Sequence, residues 1–367
     1  MNIQSALSSW KTYLSLGSLA VLLTVGCSQN TLDLLGRSFI PNTMTAQDVT
    51  ESTYHQVIVP GYRDFLRASQ ALNQAIDTFV AAPEQAENLE HLQTAWKTAA
   101  QAWVKTEAYQ FGPATEDRLR QNIAFWPRRP QHIQGVLAGT ETIQIEQLGT
   151  SRKGLPVMEY LLFHEADALA SAGGTRHRQY LNELGDDLVT QAEILVSEWD
   201  GGDYAQNYLN SSNAQNMQLN QWVVLLENIK NKRLGDPAGL LGSAATGPDG
   251  LEAPDSDYSL ALVEAALEGF AESYALEGLS LQSNVPDTAE YMIALGHRPV
   301  QQQIAQQLSL VRAHLQQLQP SLARALAEKP EQVEVAYEDI KTLLRYVKVD
   351  LANALNQTVN FTDNDGD

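Results

Sequence analysis

The sequence predicts an all-α fold, because apolar residues beyond residue 52 recur every three or four positions and no convincing set of alternating strands is present. Amphipathic stripes of this kind are typical of helices that pack in bundles. Four stripes carry the prediction: Tyr62, Phe65, Leu72, Ile76 and Phe79; Leu89, Leu92, Trp96, Ala99 and Trp103; Val300, Ile304, Leu308, Val311, Leu315, Leu318, Leu322 and Leu326; and Val333, Ala336, Ile340, Leu343, Val347, Leu351 and Ala354.

Proline and glycine mark where the helices end. Ala82-Pro83, Phe111-Gly112-Pro113 and Trp126-Pro127 interrupt them, and Gly173-Gly174 begins a new segment. The stretch 235–255 is rich in both residues and is the longest predicted loop. We therefore predict two helical-bundle domains, residues 52–172 and residues 173–367, the second carrying the loop at 235–255. The boundary could also fall within that loop.

Two segments suggest an internal duplication. Residues 103–109 (WVKTEAY) align with residues 269–274 (GFAESY), and both place Glu and Tyr near the end of a long helix. Pseudo-twofold duplication is one interpretation, and chance similarity between helices is the other.

The N-terminus has the pattern of an export signal. Lys11 precedes an uncharged run from Leu14 to Val25, which is too short to span a bilayer and long enough for the apolar core of a signal peptide. Cys27, the only cysteine, follows Gly26 in a sequence similar to a bacterial lipobox. We predict a signal peptide over residues 1–26, a lipid anchor at Cys27, and a flexible tether over residues 27–51. An ordinary signal peptide with an incidental cysteine is the alternative.

These features predict a periplasmic protein anchored to a bacterial membrane. Ser28 after Cys27 favours the outer membrane under the simplest sorting rule. The formal net charge is −20, and loss of Lys11 with the signal peptide would make the chain one unit more negative. Such an acidic excess disfavours nucleic acid as a partner. The alternative interpretation is that the acidic residues only keep an exported protein soluble.

Common catalytic motifs are missing. None of the seven histidines forms a His-Glu-x-x-His pair, and the sequence has neither a Gly-x-Ser-x-Gly elbow nor a dinucleotide fingerprint. The sequence therefore gives no direct sign of a catalytic residue.

One carboxylate stands out. Glu159 lies in an otherwise apolar segment, and an unpaired charge buried there would be costly. It must face solvent, pair with a cationic side chain or hold a cation. Arg128, Arg129 and Arg152 are the candidate partners.

Several segments together resemble the imelysin-like proteins. The segment 154–163 (GLPVMEYLLF) looks like their signature helix, whose motif is Gly-x-His-x-x-Glu, and the resemblance extends over about residues 52–367. The other matching segments are EAYQFGP at 107–113, FWPRR at 125–129, RLGDPAG at 233–239 and the closing stretch 350–367.

The resemblance implies two helical bundles, a site near their interface and an exported protein linked to iron acquisition. Pro156 stands at the motif's His position and cannot bind a metal, which argues against metallopeptidase chemistry. The resemblance places Glu159 and Glu107 as candidate metal ligands, with iron as the candidate cofactor. The candidate ligand-binding residues are Glu159, Glu107, Tyr109, Trp126, Arg128 and Arg129.

Three functions follow as hypotheses. The first is a non-catalytic lipoprotein that binds iron, an iron chelate or haem and works with an iron-transport component. The second is a helical scaffold without a small-molecule site. The third is a metallopeptidase, which needs three protein ligands and an activated water.

Overall fold

The computed structural model describes residues 44–116, 118–242, 244–279 and 285–360, and within these ranges every regular element is a helix. The all-α prediction is confirmed. The predicted signal peptide, Cys27 and the last seven residues lie outside the described residues. The α-helices are α1 Ala46–Thr53, α2 Val59–Ala81, α3 Ala86–Lys105, α4 Pro113–Glu116, α5 Leu119–Ile123, α6 Pro130–Leu137, α7 Leu155–Glu159, α8 Ala166–Ala170, α9 Thr175–Trp199, α10 Asp203–Leu209, α11 Ala214–Asn228, α12 Asp236–Ala238, α13 Ser259–Ala275, α14 Thr288–Ala294, α15 Arg298–Gln317, α16 Leu322–Glu328, α17 Pro330–Arg345 and α18 Ala352–Ala354.

Several helices continue through turns of different pitch. π-Helical segments connect α1 to α2, α7 to α8, α11 to α12 and α17 to α18; they are Tyr54–Ile58, Tyr160–His164, Ile229–Gly235 and Tyr346–Leu351. Short 3₁₀ turns occupy Thr106–Tyr109, Ile145–Gln147, Thr150–Arg152 and Gly247–Gly250. π-Segments often mark functional sites in helical proteins, and two of them border the site described below.

The first helix begins inside the predicted tether. Thr45 forms a capping box with Asp48: the Asp48 N–H donates to Thr45 Oγ1 at 3.2 Å, and the Thr45 N–H donates to Asp48 Oδ2 at 2.7 Å. The two bonds satisfy backbone donors that a helix start otherwise leaves free. Residues 46–51, predicted as tether, are therefore helical.

Four long helices build the centre of the molecule. Helix α2 packs against α3 and α9, and α3 also packs against α13. The stripe predicted on α2 is fully buried, and Trp96, Trp103 and Trp199 are among the largest buried side chains. Burial of large aromatic rings supplies much of the driving force for such a core.

Helices from both sides of the predicted boundary at Gly173 contact each other, and the described residues belong to one compact unit. The two segments that suggested duplication also touch: a Cβ on Gly269 would lie 2.2 Å from the Lys105 carbonyl oxygen, so the crossing of α13 over the end of α3 requires glycine. Lys105 Nζ lies 2.8 Å from Glu268 and 3.1 Å from Glu272. The two-domain division and the duplication both stay predictions.

The last apolar stripes belong to a hairpin of helices. Helix α15 packs against α17, but the stripe from Val300 to Leu326 is divided between α15 and α16. Ser321 starts α16 by accepting the Arg324 N–H on Oγ at 3.3 Å. Among the described helices, none combines the length and hydrophobicity needed to cross a bilayer.

Candidate functional site

The helix that carries Glu159 starts at a position that only glycine fits. Gly154 has φ +75°, and a Cβ there would lie 2.1 Å from the carbonyl oxygen of Ile123. Pro156 follows in the first turn, where its missing N–H costs nothing. A helix therefore begins directly after the first residue of the segment 154–163, and the close approach of Gly154 to Ile123 fixes α7 against the end of α5.

Glu159 is buried and paired with arginine. Its side chain is 1% exposed, and Arg128 Nη1 forms an ion pair with its Oε2. The Ser256 N–H donates to Oε1 at 2.8 Å. Arg128 Nη1 also lies 2.6 Å from Asp255 Oδ2, so one guanidinium joins two carboxylates. We call Arg128, Glu159 and Asp255 the Arg128 cluster.

The Arg128 cluster holds a carboxyl group with a shifted titration. Burial raises the pKa of Glu159 to about 7; Arg128 opposes this rise, and the negative charge of Asp255 adds to it. The guanidinium also lies over the ring of Tyr160 at 5.0 Å from its centroid. Near neutral pH the cluster therefore carries a proton on Glu159 for part of the time.

A second arginine is held in the same way. Arg233, in the π-segment after α11, donates to Glu107 at 2.8 and 2.7 Å and to Glu252 at 2.7 and 3.0 Å. The side chain of Arg233 is 5% exposed. Burial lowers the pKa of Arg233, but the two carboxylates outweigh that effect and raise it, so the guanidinium stays charged. We call Arg233, Glu107 and Glu252 the Arg233 cluster.

The segment 251–256 connects the two clusters. It contributes Glu252 to one cluster and Asp255 to the other, and the Ser256 N–H reaches Glu159. Its first residue accepts a 3.3 Å hydrogen bond from Trp126 Nε1 at the Leu251 carbonyl. A stretch within and just beyond the predicted loop 235–255 is thus fixed by charge-assisted bonds, which are stronger than neutral ones.

The Arg233 cluster lies in the wall of a cavity of about 360 Å³. Aromatic rings and side chains of both charges line it, from the ends of α3, α5 and α11 and from segment 251–256. This size is in the range of small-molecule sites. The principal lining residues are Trp103, Glu107, Arg120, Gln121, Phe125, Trp126, Glu227, Lys232, Arg233 and Glu252.

The predicted site residues occupy different places. Glu107 and Trp126 line the cavity, whereas Glu159 and Arg128 form the neighbouring cluster. Tyr109 is buried in the core against Tyr62, and Arg129 is exposed beside the ring of Phe125. Within the described ranges no three His, Cys, Asp or Glu side chains are grouped closely enough to hold a metal ion. The metal role of Glu159 and Glu107 stays a prediction.

Sequence reasoning missed most of the residues that hold the site together. Glu252, Asp255 and Ser256 lie in or beside a segment read as a loop, and Arg233 drew notice only through the resemblance. The acidic residues within a Gly- and Pro-rich stretch were the available signal. Spacing could not show which helix that stretch contacts.

Comparison with known proteins gives the family. A sequence model described as Imelysin matches residues 58–347, which is most of the chain. The chain belongs to the imelysin family. In this imelysin, Gly154 and Glu159 match the Gly-x-His-x-x-Glu motif named above, and Pro156 occupies the position of the motif's histidine.

Individual relatives agree with that assignment. Iron-regulated protein A of Synechococcus elongatus is 35% identical over 144 residues, a match that spans 39% of this imelysin and 38% of the relative. A solved structure of an iron-regulated protein A precursor from Parabacteroides distasonis superposes with a TM-score of 0.71 at 17% identity, covering 83% of this chain and 94% of that one. An imelysin-like protein from Psychrobacter arcticum 273-4 gives a TM-score of 0.70 at 20% identity, with 87% and 98% covered. The two structures share its fold.

Proposed function

We propose that this imelysin is an exported protein that binds an iron-containing small ligand during bacterial iron acquisition and does not cleave peptides. The observation that carries the proposal is the cavity of about 360 Å³ beside the Arg233 cluster. The name of the Synechococcus relative, iron-regulated protein A, supplies the link to iron.

The construction of the cavity supports binding. Its wall is fixed by Arg233, whose guanidinium is bonded to two carboxylates on different segments of the chain. A wall held by charge-assisted bonds keeps its shape before a ligand arrives, which lowers the entropic cost of binding. Trp126 and Phe125 add flat apolar faces. The arrangement suits a polar ligand with some apolar surface.

The motif helix supports binding rather than hydrolysis. A metallopeptidase needs ligands that hold a metal and a group that activates water. Pro156 offers no lone pair at the motif's histidine position, and both carboxylate oxygens of Glu159 are engaged, one by Arg128 and one by the Ser256 N–H. We therefore assign Glu159 the role of fixing segment 251–256.

Export and membrane attachment are part of the proposal. The uncharged run before Cys27 and the lipobox-like sequence support lipidation of that cysteine, with the outer membrane as the favoured location. Cell fractionation of a Cys27→Ser variant tests this part: the protein should leave the membrane fraction, and full membrane retention would refute the anchor.

The proposed function is tested by filling the cavity. Ala124 and Val224 line it from different sides, and Ala124→Phe or Val224→Phe should abolish the protein's contribution to growth under iron starvation because the ring occupies the ligand's space. Growth of a deletion strain that carries each variant is the measurement, with thermal melting to show that each variant is folded.

Ala138→Phe is the matched control. Like Ala124 after α5, Ala138 directly follows a short helix, α6. Its side chain is exposed and does not line the cavity. The control should support growth like the wild type. A deletion strain that grows like the wild type under iron starvation would refute the proposed function. Folded cavity-filling variants that restore growth would favour the scaffold hypothesis, and chelator-sensitive peptide cleavage would favour the peptidase.

A further inference from the structure

Two cationic side chains on the cavity wall lack the carboxylate partners that their neighbours have. Arg233 contacts Glu107 and Glu252, and Glu227 lies 3.0 Å from Lys348. Among the described residues, neither Arg120 nor Lys232 forms an ion pair or a side-chain hydrogen bond. Arg233 is shared by two carboxylates, so the Arg233 cluster keeps one net negative charge, while the side chains of Arg120 and Lys232 remain available to contact a ligand.

The two cations come from elements that meet at the cavity. Arg120 is half-buried in α5, and Lys232 is exposed in the π-segment that also carries Arg233. Partial burial lowers the pKa of Lys232, the positive charges of Arg120 and Arg233 lower it further, and the carboxylates of Glu107 and Asp236 oppose this change. Arg120 and Arg233 thus disfavour the charged form of Lys232, and a bound anion would favour it.

A third feature indicates what else the ligand carries. The side-chain oxygen of Gln121, another lining residue, is buried and has no hydrogen-bond partner. A buried acceptor without a donor is costly, so a ligand hydroxyl group at this place would gain a bond that the free protein lacks. Gln121 and Arg120 belong to the same helix, α5, and both line the cavity.

We infer that the cavity binds an anionic chelate of iron whose ligand bears carboxylates and a hydroxyl group that is not bound to the metal, with Arg120 and Lys232 contacting the carboxylates and the hydroxyl group donating to Gln121 Oε1. This inference rests on the proposed function and names the class of its ligand. The indole of Trp126 and the ring of Phe125 cover the carbon skeleton of the chelate.

The negative net charge of the protein does not oppose this chemistry. Charges separated by more than about 8–10 Å are largely screened at physiological ionic strength, so the charges that line the cavity matter most, and among these Arg120 and Lys232 are not held in an ion pair within the described residues. Distant acidic residues affect mainly the rate at which an anion approaches.

Titration calorimetry on the mature soluble chain tests the inference. Ferric citrate is the anionic probe and ferrioxamine B is a cationic ferric chelate. The double variant Arg120→Gln/Lys232→Gln should bind ferric citrate about 10- to 100-fold more weakly than the wild type, because each lost contact is charge-assisted. Metal-free citrate should bind more tightly than tricarballylate, which lacks only the hydroxyl group.

The double variant Arg118→Gln/Lys230→Gln is the matched control. Both residues lie two positions from the proposed pair and carry the same charges, but neither lines the cavity. The control should bind ferric citrate within about threefold of the wild type, since surface charges contribute little to a local contact.

Three results would overturn the inference: no binding of ferric citrate by the wild type, equal binding by Arg120→Gln/Lys232→Gln, or a preference for ferrioxamine B. None of these refutes the proposed function, which depends on the growth experiment with the cavity-filling variants. Impaired growth together with binding of ferrioxamine B alone would leave the proposed function in place and reject the anionic ligand.

Discussion

Replacing Arg233 with Gln should lower the free energy of unfolding by about 3–5 kcal/mol. The substitution leaves Glu107 and Glu252 facing each other, 16% and 12% exposed, with no cation between them. It also removes four hydrogen bonds of 2.7 to 3.0 Å that join the 3₁₀ turn after α3, the π-segment after α11 and segment 251–256. The loss of a partner from a buried ion pair costs far more than the pair contributes.

Urea denaturation followed by circular dichroism measures this effect. Arg312→Gln is the control, because Arg312 and Glu277 are 39% and 49% exposed, and the loss of such a pair should cost at most about 1 kcal/mol. The triple variant Arg233→Met/Glu107→Gln/Glu252→Gln should recover much of the stability that Arg233→Gln loses. If Arg233→Gln is no more harmful than Arg312→Gln, the cluster does not hold the cavity wall.

Replacing Arg128 with Gln should have a cost that grows with pH. In the folded wild type the pKa of Glu159 is about 7, above its ordinary value of 4.5, because the site is buried. The fold therefore favours the protonated form, and this contribution to stability is complete below pH 4.5, decreases as the pH rises, and is lost above pH 7. The wild type should lose at most about 3 kcal/mol across that range.

Without Arg128 the pKa of Glu159 rises further, because the guanidinium is the main opposing charge. Arg128→Gln should therefore cost less at pH 5, where Glu159 is protonated and only Asp255 loses its cation. At pH 8 the cost should reach about 3–5 kcal/mol, because Glu159 has lost the cation that favours its ionised form. Unfolding free energies measured at several pH values test this expectation.

The control for Arg128 is the Glu159→Gln background. There Arg128→Gln should lose most of its pH dependence, because the buried titrating group is gone. A cost of Arg128→Gln that is equal at pH 5 and pH 8 in the Glu159 background would show that the pair does not govern the titration.

The sequence contained most of the fold. The α2 stripe of Tyr62, Phe65, Leu72, Ile76 and Phe79 is fully buried, because helical periodicity follows directly from burial on one face. Periodicity could not show that the stripe from Val300 to Leu326 belongs to two helices, since the apolar spacing continues across the break after Gln317. It also missed the helix at Ala46, whose start depends on a local cap within a polar segment.

The site was less accessible from the sequence. Burial of Glu159 could be inferred from its apolar neighbours, but three arginines were equal candidates and the fold selects Arg128. Arg233 and Glu107 lie 126 positions apart, and they pair because α11 and α3 end at the same place. Glu252 and Asp255 reach two different clusters through a segment whose path only the folded chain defines.

A crystal soaked with ferric citrate and measured at the iron absorption edge locates the bound ligand. We expect an anomalous peak inside the cavity, between Trp126 and the side chains of Arg120 and Lys232. The same soak of Arg120→Gln/Lys232→Gln should show a weaker peak or none. Iron bound elsewhere on the protein, or a wild-type cavity without iron, would contradict binding of the chelate in this cavity.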